Sequence, residues 1–142
     1  MPIERPVGGL HHVAIAAPDF EQSLKLYRDV LKLPVVAQWE QAPKRFAWLD
    51  AGDGSYVEIV ERPDRGDVPT GLAPPRAIAH FAFRTSDVAA TLEAARALGC
   101  AIEIEANTVT VHDHVGDRPL HLTVAFFTGP SGELVELIAD GL

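Results

Sequence analysis

Cysteine is almost absent from this sequence, which has only Cys100 among 142 residues. A single cysteine excludes a disulfide within the chain, and disulfides are typical of oxidising compartments, so we expect a reducing cytoplasm. Cys100 follows Gly99, a residue type that commonly ends helices. We therefore interpret its side chain as a packed thiol and not as a reactive one.

Long apolar runs and a basic surface are missing as well. No stretch approaches the length of a membrane span, and the opening MPIERPVGG lacks the apolar segment of a secretory signal. Lys and Arg number 12 against 20 Asp and Glu, which gives a net charge of −8 at pH 7. Because nucleic acids and anionic membranes attract basic surfaces, we expect neither as a partner. The 47% of hydrophobic residues is enough for one folded domain with a core.

What the sequence does contain is one pattern written twice. Residues 9–36 are typical of a strand, a helix and a second strand, and residues 78–100 repeat that pattern. The ends of the copies also match, as GSYVEIV and GELVELI, and the second copy carries an insertion before them. The repeat places four polar residues at equivalent positions: His12, Glu58, His80 and Glu136.

Each copy predicts the order strand, helix and three strands. The first module covers residues 9–61, with apolar residues at helical spacing over 20–31, and the second covers residues 77–140, with a helix over 87–98. Residues 62–76 are rich in proline and glycine, which is typical of a linker. We predict an α+β fold in which two tandem βαβββ modules form a curved, mostly antiparallel sheet with a concave site, the insertion lying in a hairpin.

Strand alternation predicts which way the repeated polar residues point. Alternate side chains share a face of a strand, and bulky apolar residues flank each of the four, so the four polar residues should lie on the concave face. Two imidazoles and two carboxylates suit a divalent transition metal, Zn, Ni, Co, Fe or Mn, with positions left for water or substrate oxygens. His11 is an alternative to His12, but alternation predicts that His11 lies under the helix.

Further residues are candidates for substrate contact, although each type has commoner uses as surface charge or core. Those that could hold an anionic substrate tail are Arg84, Arg118, Arg45 and Lys44. Those that could stack on an aromatic ligand are Trp39 and Trp48. His112 and His114 lie in the predicted hairpin and could touch substrate, and neither they nor His121 has a counterpart in the first copy.

The motifs HHVAI, LYRDVL, GSYVEI, AHFAFR and GPSGELVEL resemble the vicinal-oxygen-chelate superfamily over residues 9–140. That superfamily includes glyoxalase I, methylmalonyl-CoA epimerase, extradiol dioxygenases and the bleomycin- and fosfomycin-resistance proteins. Carried over by position, the resemblance implies metal ligands at His12, Glu58, His80 and Glu136. This His/Glu/His/Glu set is most similar to that of glyoxalase I. The epimerase usually has glutamine at the place of Glu58, and dioxygenases use two histidines and one glutamate for iron.

The resemblance implies a metal-dependent, lactoylglutathione lyase-like lyase or isomerase with a small α-hydroxy carbonyl or hemithioacetal substrate. The metal would bind two adjacent substrate oxygens and stabilise an enediolate, with Glu136 or Glu58 as the base. The alternatives are an epimerase-like racemase, a dioxygenase and a non-catalytic small-molecule binding protein. We also expect a homodimer, because half-sheets have exposed edges, and the site could form within one chain or between two.

Overall fold

The computed structural model describes residues 10–65, 78, 80–113 and 116–140. They form two modules, each with four strands and one main helix. The strands are β1 His12–Ala17, β2 Val35–Gln41, β3 Lys44–Asp50, β4 Tyr56–Glu61, β5 Phe81–Arg84, β6 Ala101–Asp113, β7 Arg118–Thr128 and β8 Leu134–Ala139. The helices are α1 Phe20–Leu24, which continues as a π-helical segment over Lys25–Val30, and α2 Val88–Leu98, with a short 3-10 turn at Pro63–Arg65.

The strands pair as two separate four-stranded sheets. The orders are β1-β4-β3-β2 and β5-β8-β7-β6, with one parallel pair in each, β1 with β4 and β5 with β8. The predicted α+β fold of two tandem modules is confirmed. The described strands do not join into one continuous sheet, because β1 and β5 are both edge strands and each bonds a neighbour on one side only.

The first helix has the predicted extent but not a regular winding. Asp19 caps it, since its Oδ1 accepts a hydrogen bond from the Gln22 N–H at 3.1 Å. After Leu24 the turns widen, and the Leu31 N–H donates to the Leu26 carbonyl at 2.9 Å. That five-residue spacing is the bond of a π-helix. Wider turns of this kind cannot be seen in the apolar spacing from which the helix was predicted.

The second helix agrees with the prediction at both ends. Asp87 is its N-cap, accepting a hydrogen bond from the Ala90 N–H at 3.0 Å. Gly99 ends it with a φ of 103°, a left-handed conformation that glycine adopts without steric cost. The helix buries Val88 and Leu92 against the core.

One hydrophobic core joins both modules. It combines the inner faces of both sheets with the buried sides of both helices, in one cluster that includes Ile59, Leu137, Phe20 and Leu92. Fully burying a side chain of this kind stabilises the fold by about 1.5–3 kcal/mol. Since the inner faces of both sheets share this core, the outer faces are turned away from it.

Polar contacts also join the modules. The Ser23 and Ser131 hydroxyls lie 3.1 Å apart in the interior, and the Tyr27 hydroxyl donates to Glu133 Oε2 at 2.9 Å. The Arg65 guanidinium donates to one backbone carbonyl in each module, at 2.7 and 2.8 Å. The turn before β8 is thus held against the first-module helix.

The insertion of the second module forms a projecting hairpin. Strand β7 pairs with β8 only over Thr123–Thr128, so residues 109–113 and 118–122 pair only with each other. We call these two segments the hairpin arm. Residue 114 and residues 66–76 of the predicted linker lie outside the described residues. Within the part of the chain that is described, no helix is long and apolar enough to cross a membrane.

Candidate functional site

The four predicted ligands occur as two equivalent pairs. His12 Nε2 lies 3.8 Å from Glu58 Oε2, and His80 Nε2 lies 3.0 Å from Glu136 Oε2. In each pair the glutamate is on the strand that runs parallel to the edge strand of its sheet. We call these the first-module pair and the second-module pair. Both glutamate side chains are mostly buried, at 14% and 13% exposure, and both imidazoles are more open, at 35% and 37%.

The strands explain why the glutamates face outward. Val57 and Ile59 on either side of Glu58 are buried in the core, and Val135 and Leu137 on either side of Glu136 are buried too. Alternation therefore turns both carboxylates away from the core, but onto two separate sheets and not onto the one concave face that was predicted.

The two pairs do not meet within one chain. Among the described residues, no three His, Cys, Asp or Glu side chains come close enough together to hold a metal ion. All four predicted ligands are within the described part, so one chain presents two separate histidine–glutamate pairs. An imidazole and a carboxylate in each half are ligand types that suit a divalent transition metal, and two halves would supply four ligands.

Aromatic rings surround the first-module pair. Trp48 lies opposite Glu58 on β3, and its Nε1–H donates to Glu58 Oε2 at 2.5 Å. Its ring is also stacked with the His12 ring at 5.9 Å and with the Tyr56 ring at 5.5 Å. Trp39 continues the group with an edge-to-face contact to Trp48 at 5.2 Å. The predicted candidates Trp48 and Trp39 are thus next to the pair.

Phe126 has the equivalent place beside the second-module pair. It lies opposite Glu136 on β7, and its ring meets the His80 ring edge to face at 5.2 Å. The phenylalanine side chain has no N–H, so Glu136 lacks the bond that the Trp48 indole makes to Glu58. The sequence analysis missed Phe126, although the repeat offset that pairs Glu58 with Glu136 also pairs Trp48 with Phe126.

Residues 9–137 match the family described as the Glyoxalase/Bleomycin resistance protein/Dioxygenase superfamily. The chain belongs to this superfamily. It is also 25% identical, over 141 residues, to a probable lactoylglutathione lyase of Vibrio parahaemolyticus serotype O3:K6 (strain RIMD 2210633). That alignment covers 94% of this chain and 91% of the relative.

Solved structures show the same fold. The glyoxalase I of Leishmania major, described as trypanothione-dependent, has a TM-score of 0.64 and 20% identity, over 93% of this chain and 86% of that one. A glyoxalase family protein from Enterococcus faecalis has a TM-score of 0.60 and 21% identity, over 92% of this chain and 97% of that one. At these identities the likeness extends to the fold alone.

In this glyoxalase-superfamily chain, the prediction that the His11 side chain lies under the helix is wrong. His11 does not lie under the helix: its side chain is exposed, with Nδ1 2.9 Å from His12 Nδ1 and the ring 5.0 Å from the Trp48 ring. The regular strand begins only at His12, so alternation does not extend back to His11. His11 is therefore a neighbour of the first-module pair.

The arginines predicted to hold an anionic substrate tail are all engaged by carboxylates. Arg45 lies on the helix side, with its guanidinium 4.6 Å from the centre of the Phe20 ring and bonds to Glu61 and Glu21. The other two are exposed arginines paired with mostly buried aspartates: Arg84 Nη2 is 3.1 Å from Asp140 Oδ2, and Arg118 Nε is 3.3 Å from Asp113 Oδ2.

The remaining predicted histidines of this superfamily member lie on or beside the hairpin arm. His112 Nε2 is 2.9 Å from Asp117 Oδ1, and His121 Nδ1 is 3.0 Å from the Thr110 hydroxyl. Neither joins a histidine–glutamate pair in the described residues. His114 is outside the described part of the chain, so its predicted substrate contact stays a prediction.

Proposed function

We propose that this superfamily member is a metal-dependent lyase or isomerase of the glyoxalase I type. Its substrate would be a small α-hydroxy carbonyl compound or a hemithioacetal. The observation that carries the proposal is the histidine–glutamate pair repeated on the outer face of each sheet, at 3.8 and 3.0 Å. Membership in the superfamily and the likeness to a probable lactoylglutathione lyase support it.

Two copies of the chain complete the site. The first-module pair of one copy joins the second-module pair of the other, because neither chain gathers four ligands by itself. Strands β1 and β5, which carry or directly follow the histidines, are both edge strands and can approach a second copy. A two-fold arrangement makes this contact twice, so a homodimer contains two sites.

In such a site the side chains have two roles, holding the metal and transferring a proton. The two imidazoles and two carboxylates would hold a divalent transition metal, which when bound would supply a Lewis acid to the substrate. A glutamate takes a proton from the carbon beside the carbonyl and returns it to the next carbon. Glu136 takes this role, because the Trp48 indole N–H donates to Glu58 Oε2, whereas Glu136 Oε2 lies 3.0 Å from His80 Nε2 and the Phe126 side chain has no N–H.

The test is turnover of a hemithioacetal formed from a 2-oxoaldehyde and a thiol. A chelator should abolish activity, and Ni, Co, Mn or Zn should restore it. Glu136→Gln should lower kcat by at least ~100-fold, because a neutral amide cannot accept the proton. In deuterated water some deuterium should enter the product carbon. Exchange at the α-carbon of a 2-methylmalonyl thioester, with no reaction of the hemithioacetal, would instead identify an epimerase.

Measurements of metal binding test the same proposal, with variants of hairpin histidines as matched controls. Purified protein should bind about one divalent ion per chain. His80→Ala and Glu136→Ala should greatly weaken this binding, whereas His112→Ala and His121→Ala, which change hairpin histidines, should keep it. Wild-type metal affinity in the first two variants would contradict the four-ligand site.

A small-molecule binding protein is the second candidate, favoured by the aromatic rings around the first-module pair. Rings of Trp48 and Trp39 beside half-buried polar groups are typical of ligand sites. This candidate predicts stoichiometric binding of an unchanged planar ligand. It also predicts that metal-loaded protein turns over neither substrate class.

A further inference from the structure

We propose that the ligand of this site is an uncharged molecule with a planar apolar group beside its two oxygens. The surface that takes the planar group consists of Trp39, Phe46, Trp48 and Tyr56, and we call it the aromatic face. The inference rests on the proposed function for the way the two oxygens are held, and it specifies the part of the ligand that the histidine–glutamate pairs do not touch.

The aromatic face is continuous across three strands of the first module. The Trp39 and Phe46 rings are nearly parallel, with centroids 5.3 Å apart and 4° between the planes. Trp39 then meets Trp48 edge to face, and Trp48 is stacked with Tyr56. The face ends at the first-module pair, because Trp48 also contacts that pair. A molecule whose oxygens lie at the pair has its carbon skeleton against these rings.

These rings are not needed to build the core. On the same strands the core is made by residues of the opposite parity, such as Ala47, Leu49 and Ile59, all with no solvent exposure. The aromatic side chains point the other way and are half-buried. Contiguous apolar surface on the solvent side of a sheet is uncommon unless it binds something. A polar pair at its end indicates an occupant that carries oxygens, which favours a small molecule.

Apolar side chains also continue along β7 from Phe126, whose ring contacts the second-module pair. Leu120, Leu122 and Val124 alternate along β7 on the side of Phe126, away from the core residue Phe127. Directly across the hairpin arm, Val111 pairs with Leu120 and Val109 with Leu122, so all share that side. Both valines remain exposed, at 43% and 40%. The half-sites that would meet in a dimer thus contribute aromatic surface from one chain and aliphatic surface from the other.

The charged side chains of the protein favour a neutral ligand. The three arginines that could hold an anionic tail are each paired with a carboxylate, for Arg45 at 2.7 Å from Glu61. Arg62, with a smaller contribution from Lys44, holds the pKa of Asp64 at about 2, so Lys44 also has an anionic neighbour. The chain as a whole carries a net charge of −8. An anionic tail would have to displace these carboxylates, whereas a neutral ring would not.

The experiment compares three hydroxamates, which present two adjacent oxygens and do not react. They are acetohydroxamate, benzohydroxamate and 4-carboxybenzohydroxamate, and each is titrated by calorimetry and tryptophan fluorescence, with and without bound metal. Benzohydroxamate should bind at least ~10-fold more tightly than acetohydroxamate, because its phenyl ring is buried on the aromatic face. The added carboxylate should weaken binding.

Ring-removing and ring-keeping variants form the matched pair. In Trp39→Ala and Phe46→Ala the preference for benzohydroxamate over acetohydroxamate should fall toward one, and Trp39→Phe should keep most of it. Equal binding of the phenyl and methyl probes, tightest binding of the carboxylated probe, or no binding of benzohydroxamate in either metal state would overturn the inference.

Failure of the proposed function would look different. Benzohydroxamate would then bind with the same affinity in the presence of a chelator, and no hemithioacetal would be turned over, while the preference for the phenyl probe persisted. Conversely, metal-dependent turnover without any preference for an aryl group would leave the proposed function standing and overturn only this inference.

Discussion

Trp48 and Phe126 show how a single residue makes two repeated half-sites chemically different. Both lie opposite the glutamate of their module, and both contact the neighbouring histidine ring. Of the two, only Trp48 has a side-chain N–H that can donate to the carboxylate. A hydrogen bond to a charged acceptor stabilises by roughly 1.5–3 kcal/mol when the groups are buried. The two glutamates of the proposed site therefore differ in their partners: Glu58 accepts a bond from the Trp48 indole, and Glu136 lies 3.0 Å from the His80 imidazole.

Cys100 allows a prediction at the same scale. Burial, and then the nearby Glu133 carboxylate, raise the pKa of the Cys100 thiol to about 11. Since the thiolate is the reactive form, alkylation by iodoacetamide at pH 8 should be roughly 100-fold slower than in urea-unfolded protein. The rate should increase as the pH approaches 11. Equal rates in the folded and unfolded protein at pH 8 would contradict the interpretation of Cys100 as a packed thiol.

At the scale of elements, the turn before β8 and the first-module helix behave as one unit. Glu133 accepts hydrogen bonds from the Tyr27 hydroxyl and from the Ser131 N–H, both at 2.9 Å. A β-carbon at Gly129 would lie 2.4 Å from the Glu133 side-chain Cδ, so the turn leaves room for this carboxylate only because residue 129 is glycine. These contacts fix how the second module sits on the first.

The buried carboxyl of Glu133 predicts a pH dependence of stability. Burial raises the pKa of Glu133 above its ordinary range, and its hydrogen bonds offset only part of that effect. The folded state then binds the proton more tightly than the unfolded state, so stability is lost as the pH rises from the unfolded-state pKa to the folded-state pKa. Glu133→Gln removes this loss. Its Tm relative to wild type should therefore increase as the pH rises from about 4 toward 8.

Thermal melts at a series of pH values check this prediction. Glu93→Gln serves as the control, because Glu93 is an exposed carboxylate on α2 that bonds Arg96. A difference in Tm between Glu133→Gln and wild type that stayed constant over the whole series would contradict the role of burial.

At the scale of the whole molecule, the decisive feature is that the two histidine–glutamate pairs of one chain lie on separate sheets and do not meet. Complementation tests whether two chains share a site. Glu58→Gln and Glu136→Gln, each inactive alone, are co-expressed with different tags. A mixed dimer combines one intact first-module pair with one intact second-module pair. Random pairing should restore roughly a quarter of wild-type activity, since half the dimers are mixed and each has one intact site.

Two results would contradict the shared site. Purified mixed dimers without activity would show that each site lies within one chain. A monomer in light scattering at micromolar concentration, at the chain mass of 15.3 kDa, would exclude the dimer itself. The control for residual activity is a mixture of the two separately purified variant homodimers, kept under conditions that prevent exchange of subunits.

Much of the fold could be predicted because it depends on neighbours in the chain. The cap residues Asp19 and Asp87 and the stop at Gly99 act through bonds to residues within four positions. Strand alternation placed Glu58 and Glu136 on the outer faces because adjacent residues point in opposite directions. The match between the two copies identified the four polar residues without any knowledge of which strands pair.

The sequence by itself thus determined the two modules, their helices and the four repeated polar residues, because period and repetition are local properties. The tertiary structure decided what depends on contacts between distant segments. It placed His11 beside Trp48 and Arg45 over Phe20, and it directed the Trp48 N–H to Glu58. Above all, one core shared by the inner faces of both sheets turned the two pairs away from each other. No local pattern encodes that separation, since it arises from how the modules pack.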